Sequence, residues 1–225
     1  MTFEILTLFP EYVDAILNES ILGRARQKGA ITVCTDNIRN YSHDKHRRVD
    51  DTPYGGGMGM LLACPPVYEC HQAALARHPG EKVHTVFLSA QGQPFTEKKA
   101  KELSSFDTLI LLCGHYEGID RRAVELCCDE EISIGDYVLT GGELPACIVV
   151  DAVSRLLPGV LADDECFEKE SFSNGLLEEP QYTRPVEFMG LTVPEVLLTG
   201  DHAKIDQWRY EAALALTKKN RPDLV

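Results

Sequence analysis

The chain has 225 residues, of which 44% are hydrophobic and 25% are charged, and its formal net charge is −13. This length and composition are typical of a globular protein with a real core and argue against disorder. The negative charge argues against indiscriminate nucleic-acid binding, because a polyanion is repelled at long range.

Strand and helix patterns alternate through the first 157 residues. Apolar runs predict strands at 3–8, 31–34, 83–88, 108–112 and 129–133. Helical spacing, proline positions and the N-cap candidate Thr96 predict helices at 10–22, 66–77, 97–103, 119–126 and 142–157. Continuous apolar strands that alternate with helices predict an α/β fold, with a mainly parallel sheet covered on both faces.

The pattern changes after the helix at 142–157. Residues 158–185 are rich in acid, Gly, Asn and Pro, and they are too many for a connection inside one compact domain. Beyond them, Asp201 or a neighbour caps a helix that places Ile205 and Trp208 on one face. We therefore predict an α/β domain at 1–160, a flexible interdomain linker at 161–185 and a small helical domain at 186–225.

One segment of this acidic chain is basic. Between Ile21 and Arg48 there are seven Lys or Arg against two Asp, which is a local net charge of +5. The segment faces either an anion or only solvent, and taken alone a solvated surface is the commoner explanation.

The cysteines and the N-terminus indicate a cellular compartment. The eight cysteines include no CxxC pair and no spacing typical of a zinc site. The opening "MTFEILTLF" has no basic leader, and no apolar run reaches the roughly 20 residues of a membrane helix. We expect a reduced, cytoplasmic protein without a membrane segment.

Two glycine-containing loops follow predicted strands. "CGHYEGID" at 113–120 follows the strand 108–112, and "ISIGDYVLTGGELPA" at 132–146 follows the next strand. In an open α/β sheet the carboxyl ends of the strands bind ligands, so these loops either form a pocket or are ordinary turns. The chain has neither GxGxxG nor GxxxxGK[ST], which favours a nucleoside ligand without phosphates.

A third glycine cluster, "YGGGMGM" at 54–60, has two interpretations. It is either a flexible surface loop or a mobile segment, joined to the basic stretch, that closes over a phosphate backbone. Composition does not choose between them.

Six motifs together resemble one family. They are "DKHRRVDDTPYGGGMGM", "LLCGHYEGIDRR", "EISIGDYVLTGGELPA", "DAVSRLLPGVL", "ESFSNGLLEEPQYTRP" and "RPDL". In order and spacing they are similar to the TrmD family of bacterial tRNA (guanine-N1)-methyltransferases, in the SPOUT superfamily. The resemblance implies a deep trefoil knot in the C-terminal part of the α/β domain, a homodimer, and methyl transfer from S-adenosylmethionine to the guanosine immediately 3′ of the anticodon, position 37.

The resemblance also implies which residues bind the methyl donor. They lie in "FLSAQG" and in the two glycine loops: Leu88, Ser89, Gln91, Gly114, Tyr116, Glu117, Ser133, Ile134, Gly135, Asp136, Tyr137, Val138, Leu139, Gly141, Gly142 and Pro145. Ala90 departs from the pattern, because relatives commonly have Pro there.

Two catalytic residues are implied in the same way. Loss of the guanine N1 proton needs a base, and the negative charge that grows on O6 needs a cation. The resemblance assigns these roles to Glu170, where relatives often have Asp, and to Arg155. Their structural alternatives are an acidic loop residue and the cap of a helix C-terminus. A helper Mg²⁺ is also implied, although the sequence contains no dedicated ligand set.

Two other functions remain open alongside the transferase. One is a non-catalytic RNA-binding protein that keeps the knot pocket, and the other is a small-molecule nucleotide enzyme. For the transferase, the substrate partner is the tRNA anticodon loop, with the basic segment and Lys218, Lys219 and Arg221 as expected phosphate contacts.

Overall fold

The computed structural model describes residues 1–162 and 170–225. The chain divides into two compact units, Met1–Asp164 and Glu165–Val225. The described residues contain nine β-strands and seven α-helices. Part of the predicted linker, at 163–169, lies outside the described residues, as does Cys166.

The first unit contains a five-stranded parallel sheet. The strands of the unit, in chain order, are β1 (Thr2–Thr7), β2 (Thr32–Asn37), β3 (Asp50–Asp51), β4 (Leu61–Leu62), β5 (Val83–Pro94), β6 (Thr108–Cys113) and β7 (Glu130–Ser133). Strands β3 and β4 pair with each other in a separate two-stranded sheet, and the other five form the parallel sheet. The order in the sheet is β2-β1-β6-β5-β7, and every pairing is parallel. The predicted α/β class with a mainly parallel sheet is confirmed.

Six helices belong to this unit. They are α1 (Pro10–Leu17), α2 (Ser20–Gln27), α3 (Cys64–Leu75), α4 (Glu97–Leu103), α5 (Arg121–Cys127) and α6 (Glu143–Ser154). The predicted continuous helix at 10–22 is wrong, because Glu19 is extended and Ser20 has a positive φ of 55°. The predicted N-cap Thr96 is confirmed, since its hydroxyl accepts a hydrogen bond from the Lys99 amide at 3.3 Å.

The central strand β6 explains why the parallel sheet was predictable. All six of its residues are buried, and alternate residues enter the hydrophobic cores on opposite faces of the sheet. Leu109 and Leu111 pack with one set of helices, whereas Ile110 and Leu112 pack with the other. A strand covered on both faces reads as a continuous apolar run.

A buried carboxylate on β1 is a feature that the sequence analysis missed. Glu4 is 1% exposed, although it lies in the middle of a central strand. Its carboxylate accepts hydrogen bonds from Arg77 at 2.6 and 3.1 Å, and Nε2 of His78 lies 2.7 Å away. Arg77 also pairs with Asp36. The residues just after α3 therefore attach that helix to the sheet through charge.

We expect Arg77→Met to lower the free energy of unfolding by about 3 kcal/mol, because it leaves the buried Glu4 charge with His78 as its remaining close partner. Urea unfolding at fixed protein concentration measures this loss. The matched control is Arg122→Met, since Arg122 pairs with Asp120 and its side chain is 69% exposed. That variant should lose little stability, because an ion pair exposed to solvent contributes little. Equal losses in the two variants would contradict this assignment.

The second unit contains a short hairpin and one long helix. Strands β8 (Glu187–Phe188) and β9 (Leu191–Thr192) pair in antiparallel fashion and were not predicted. Helix α7 (His202–Asn220) begins as predicted at Asp201, whose carboxylate accepts a hydrogen bond from the Lys204 amide at 3.3 Å.

A buried threonine joins α7 to the chain that precedes the hairpin. The Thr217 hydroxyl accepts a hydrogen bond from the Leu177 amide at 2.9 Å and donates one to the Ala213 carbonyl at 2.7 Å. At least this part of the predicted linker is therefore fixed to the helical unit. Among the described helices, none combines the length and apolar character that crossing a membrane requires.

Candidate functional site

A cavity of about 280 Å³ lies at the carboxyl ends of β5, β6 and β7, within the first unit. Four chain segments and three helix residues form its wall: 87–91, 114–119, 131–135, 137–142, Arg121, Val124 and Pro145. The two loops singled out by their glycines therefore meet at one site, together with the end of β5.

A bulge in β5 forms one side of the cavity. Both Leu88 and Gln93 are partners of Ile132 in β7, so the residues between them leave the ladder. The Ser89 hydroxyl accepts a hydrogen bond from the Gln91 amide at 3.1 Å and stabilises this turn. The displaced backbone makes room for a ligand beside the strand ends.

The start of α6 approaches the end of β6 very closely. The Gly142 amide donates a hydrogen bond to the Gly114 carbonyl at 2.8 Å, and a Cβ on Gly142 would lie only 2.7 Å from Cα of Cys113. Glycine is therefore required where the two loops meet. The next residue, Glu143, is 3% exposed and accepts a hydrogen bond from the Thr7 hydroxyl at 2.7 Å.

Tyr116 connects the cavity wall to the basic segment. Its φ of 59° is unusual for a residue with a large side chain, and such strained conformations cluster at functional sites. Its hydroxyl accepts a hydrogen bond from Arg39 at 3.3 Å, and its ring lies edge-on to His115 with the centroids 5.1 Å apart. Arg39, which belongs to the basic segment between Ile21 and Arg48, therefore contacts the loop that lines the cavity.

The charges of the wall do not suit a polyphosphate. Arg121 is the one Lys or Arg among the wall residues, and its guanidinium is bound to Glu131 and, at 3.2 Å, to Glu125. Glu117 and Glu131 bring two carboxylates to the wall. A ligand with a net positive charge is therefore better matched than one with free phosphates.

The structure gathers nearly all of the residues expected to bind the methyl donor. Every one of them lines the cavity except Asp136, which does not belong to its wall. Arg155 and Glu170 do not line it either: Arg155 directly follows α6 in the first unit, and Glu170 lies in the second unit. The roles of these residues remain predictions.

Two charged wall residues were missed. Arg121 directly follows the motif "CGHYEGID", and Glu131 directly precedes "ISIGD", so both lay at the edges of the segments that were chosen. No local spacing marks the two residues as partners, because the strand order brings them together.

The described cysteines are not activated as nucleophiles. Burial raises the pKa of Cys147 to about 11 and raises that of Cys113 well above its ordinary value, which keeps both thiols protonated near neutral pH. In residues 1–162 and 170–225, no group of three or more His, Cys, Asp or Glu is arranged to hold a metal ion.

Comparisons with known proteins agree with one another over the whole chain. Residues 1–225 match the family described as "tRNA (Guanine-1)-methyltransferase TrmD". Proteins named "tRNA (guanine-N(1)-)-methyltransferase" are 54% identical in Ruminiclostridium cellulolyticum, 52% in Lachnospira eligens and 52% in Staphylococcus carnosus. Each alignment covers 100% of this chain, and it covers 96%, 94% and 91% of those relatives respectively. The chain therefore belongs to the TrmD family of tRNA (guanine-1)-methyltransferases.

Proposed function

We propose that this protein transfers the methyl group of S-adenosylmethionine to N1 of the guanosine immediately 3′ of the tRNA anticodon, position 37. Methyl transfer to a tRNA guanine follows from its family. The observation that carries the proposal further is the cavity at the strand ends, whose wall combines close backbone approach with carboxylates.

The cavity fits a sulfonium nucleoside. Gly114 and Gly142 let the two loops pack closely, because a Cβ on Gly114 would meet the Phe87 ring at 3.1 Å and one on Gly142 would meet Cα of Cys113 at 2.7 Å. The wall beside them therefore offers backbone groups that can recognise a nucleoside. Glu117 opposes the positive charge of such a ligand, whereas the charge of Glu131 is compensated by Arg121. Bound there, S-adenosylmethionine supplies an already activated methyl group, so the protein needs to align it and to prepare the guanine.

The guanine must lose its N1 proton, and it develops negative charge at O6 as it does so. Glu170 is the general base of this proposal, and Arg155 stabilises the oxygen. Arg155 is half-buried directly after the last turn of α6. The Glu170 carbonyl accepts hydrogen bonds from the amide and hydroxyl of Ser173, at 3.2 and 2.6 Å, so its backbone lies in a defined turn.

Basic residues of each unit are proposed to contact phosphates of the tRNA. In the first unit these residues belong to the basic segment between Ile21 and Arg48. In the second unit they are Lys218, Lys219 and Arg221, around the end of α7. The remainder of the chain is acidic, so binding depends on the shape of the anticodon loop and weakens steeply with salt. A helper Mg²⁺ and a cytoplasmic location are part of the same proposal. So is the ordering of the predicted linker when tRNA and donor bind.

The knot and the homodimer are proposals as well. Family membership supports the trefoil knot. An apolar surface beside the cavity supports the dimer: Leu144 and Ile148, one turn apart on α6, are 42% and 45% exposed, and Leu139, which lines the same surface, is 41% exposed. Contiguous exposed apolar side chains of this kind mark interfaces between proteins.

We expect Ile148→Asp to convert the dimer into a monomer at micromolar concentration, because a dimer would bury the new charge without a partner. Sedimentation equilibrium measures the change. Leu126→Asp is the control, since Leu126 is 63% exposed on α5, away from that surface. A dimer that persists in the Ile148 variant, or one that dissociates equally in both variants, would contradict this interface.

The function is tested by methyl transfer from labelled S-adenosylmethionine to unmodified tRNA. We expect label in tRNA that has guanosine at position 37 and none when that base is replaced. A non-catalytic RNA-binding protein would bind the tRNA without labelling it, and a small-molecule nucleotide enzyme would not bind it. Either result would reject the proposal.

A further inference from the structure

Strand β4 joins the glycine-rich segment at 54–60 to the loop that lines the cavity. The Met60 carbonyl accepts a hydrogen bond from the Glu117 amide at 3.0 Å. Leu62 then donates to the Gly118 carbonyl and accepts from the Asp120 amide, both at 2.9 Å. Three successive backbone hydrogen bonds therefore fix the loop at 117–120 against the end of the glycine-rich segment.

Gly59 lies at the point where this ladder meets the cavity wall. Its φ is +92°, and a Cβ built on it would lie 2.3 Å from Cγ and 2.6 Å from Oε1 of Glu117. The side chain of Glu117 therefore rests on Cα of Gly59. Any side chain at position 59 would displace Glu117 from its place on the wall.

The neighbouring glycines differ from Gly59 in this respect. Gly55 and Gly56 also have positive φ, but no atom lies within 4 Å of a Cβ built on them. For Gly57, the nearest atom is Cγ of Pro53 at 3.8 Å. The positive φ alone explains glycine at those three positions. At position 59 a side chain would also collide with Glu117.

We propose that Gly59 is a positioning residue, which holds the Glu117 carboxylate at the cavity wall, opposite the positive charge of the methyl donor. This inference rests on the proposed function. The Glu117 side chain is exposed and is free to rotate away if position 59 is filled, at little expense in stability. The expected effect therefore falls on donor affinity and not on folding.

The test compares Gly59→Ala with Gly56→Ala, because both place a side chain at a positive φ in the same segment and only the first displaces Glu117. Calorimetry with S-adenosylmethionine, on the full chain without tRNA, is expected to show about tenfold weaker binding for Gly59→Ala. Gly56→Ala should differ from wild type by less than about twofold, and the melting temperatures of the two variants should be similar. Equal affinities in the two variants would overturn the inference.

A double-mutant cycle removes the remaining alternative, a backbone change caused by alanine itself. In a Glu117→Ala background no side chain remains to be displaced, so Gly59→Ala should weaken binding by less than about twofold. If Gly59→Ala weakened binding by the same factor with and without the Glu117 side chain, the positioning role would be rejected.

A further variant tests the charge of Glu117. Glu117→Gln, which keeps the contact with Gly59, should also weaken donor binding about tenfold, and unchanged affinity would reject the role of the charge. Failure of the wild-type protein to bind the donor would reject the proposed function itself.

Discussion

Glu170→Gln is expected to lower the rate of methyl transfer at saturating substrates by about 10²-fold to 10³-fold, because an amide cannot accept the N1 proton. The change keeps the size of the side chain. It also keeps the local turn, since Ser173 bonds to the backbone carbonyl of Glu170. Single-turnover transfer to tRNA measures the rate, and calorimetry should show that binding of S-adenosylmethionine is unchanged.

Two further variants separate a base from an ordinary acidic residue. Glu170→Asp keeps the carboxylate, at the length that the family resemblance leads us to expect, and should retain activity within about tenfold. Glu178→Gln is the matched control, because the Glu178 carboxylate accepts a hydrogen bond from Gln181 at 2.8 Å in the same part of the chain. If the Glu170 and Glu178 amide variants have the same rate, Glu170 is not the base.

The elements that were predicted correctly are those in which the local pattern and the burial agree. Strand β6 is apolar from Leu109 to Cys113 and is buried on both faces, so its sequence and its place in the centre of the sheet agree. The α1–α2 break was missed because Val13, Leu17 and Ile21 keep helical spacing across it. In the structure Ile21 is 40% exposed, and α2 buries Leu22 instead. The two-residue strands β3 and β4 are too short for a periodic signal, and long-range pairing creates them.

The sequence was sufficient to locate the glycine loops of the site, but it did not predict which residues those loops contact. Glycine after a strand indicates close backbone approach, and Gly142 is required for that reason. Which atoms it approaches depends on the strand order, which places β5 between β6 and β7. The pairing of Arg121 with Glu131, and the contact of Gly59 with Glu117, arise from that arrangement and have no local pattern.

Arg155→Lys is expected to lower the rate of methyl transfer by about 10²-fold, even though the charge is conserved. A guanidinium directs fixed N–H donors at an oxygen, whereas an ammonium is a mobile point charge at the end of a flexible chain. If Arg155 only capped the C-terminus of α6, lysine would replace it with little loss of stability or activity. Arg122→Lys, at a surface pair with Asp120, should leave the rate within about twofold of wild type.

The substrate tests whether Arg155 acts at O6 of the guanine. Sulfur is a poorer hydrogen-bond acceptor than oxygen, so tRNA with 6-thioguanosine at position 37 should lose the contribution of a donor that faces O6. Sulfur also changes the acidity of N1, but this change is the same for every enzyme variant. A difference between variants in the ratio of oxygen to sulfur rates therefore reports the contact between Arg155 and O6. We expect the ratio of oxygen to sulfur rates to be at least about tenfold larger for wild type than for Arg155→Lys. Equal ratios would place Arg155 away from O6 and return it to a structural role at the end of α6.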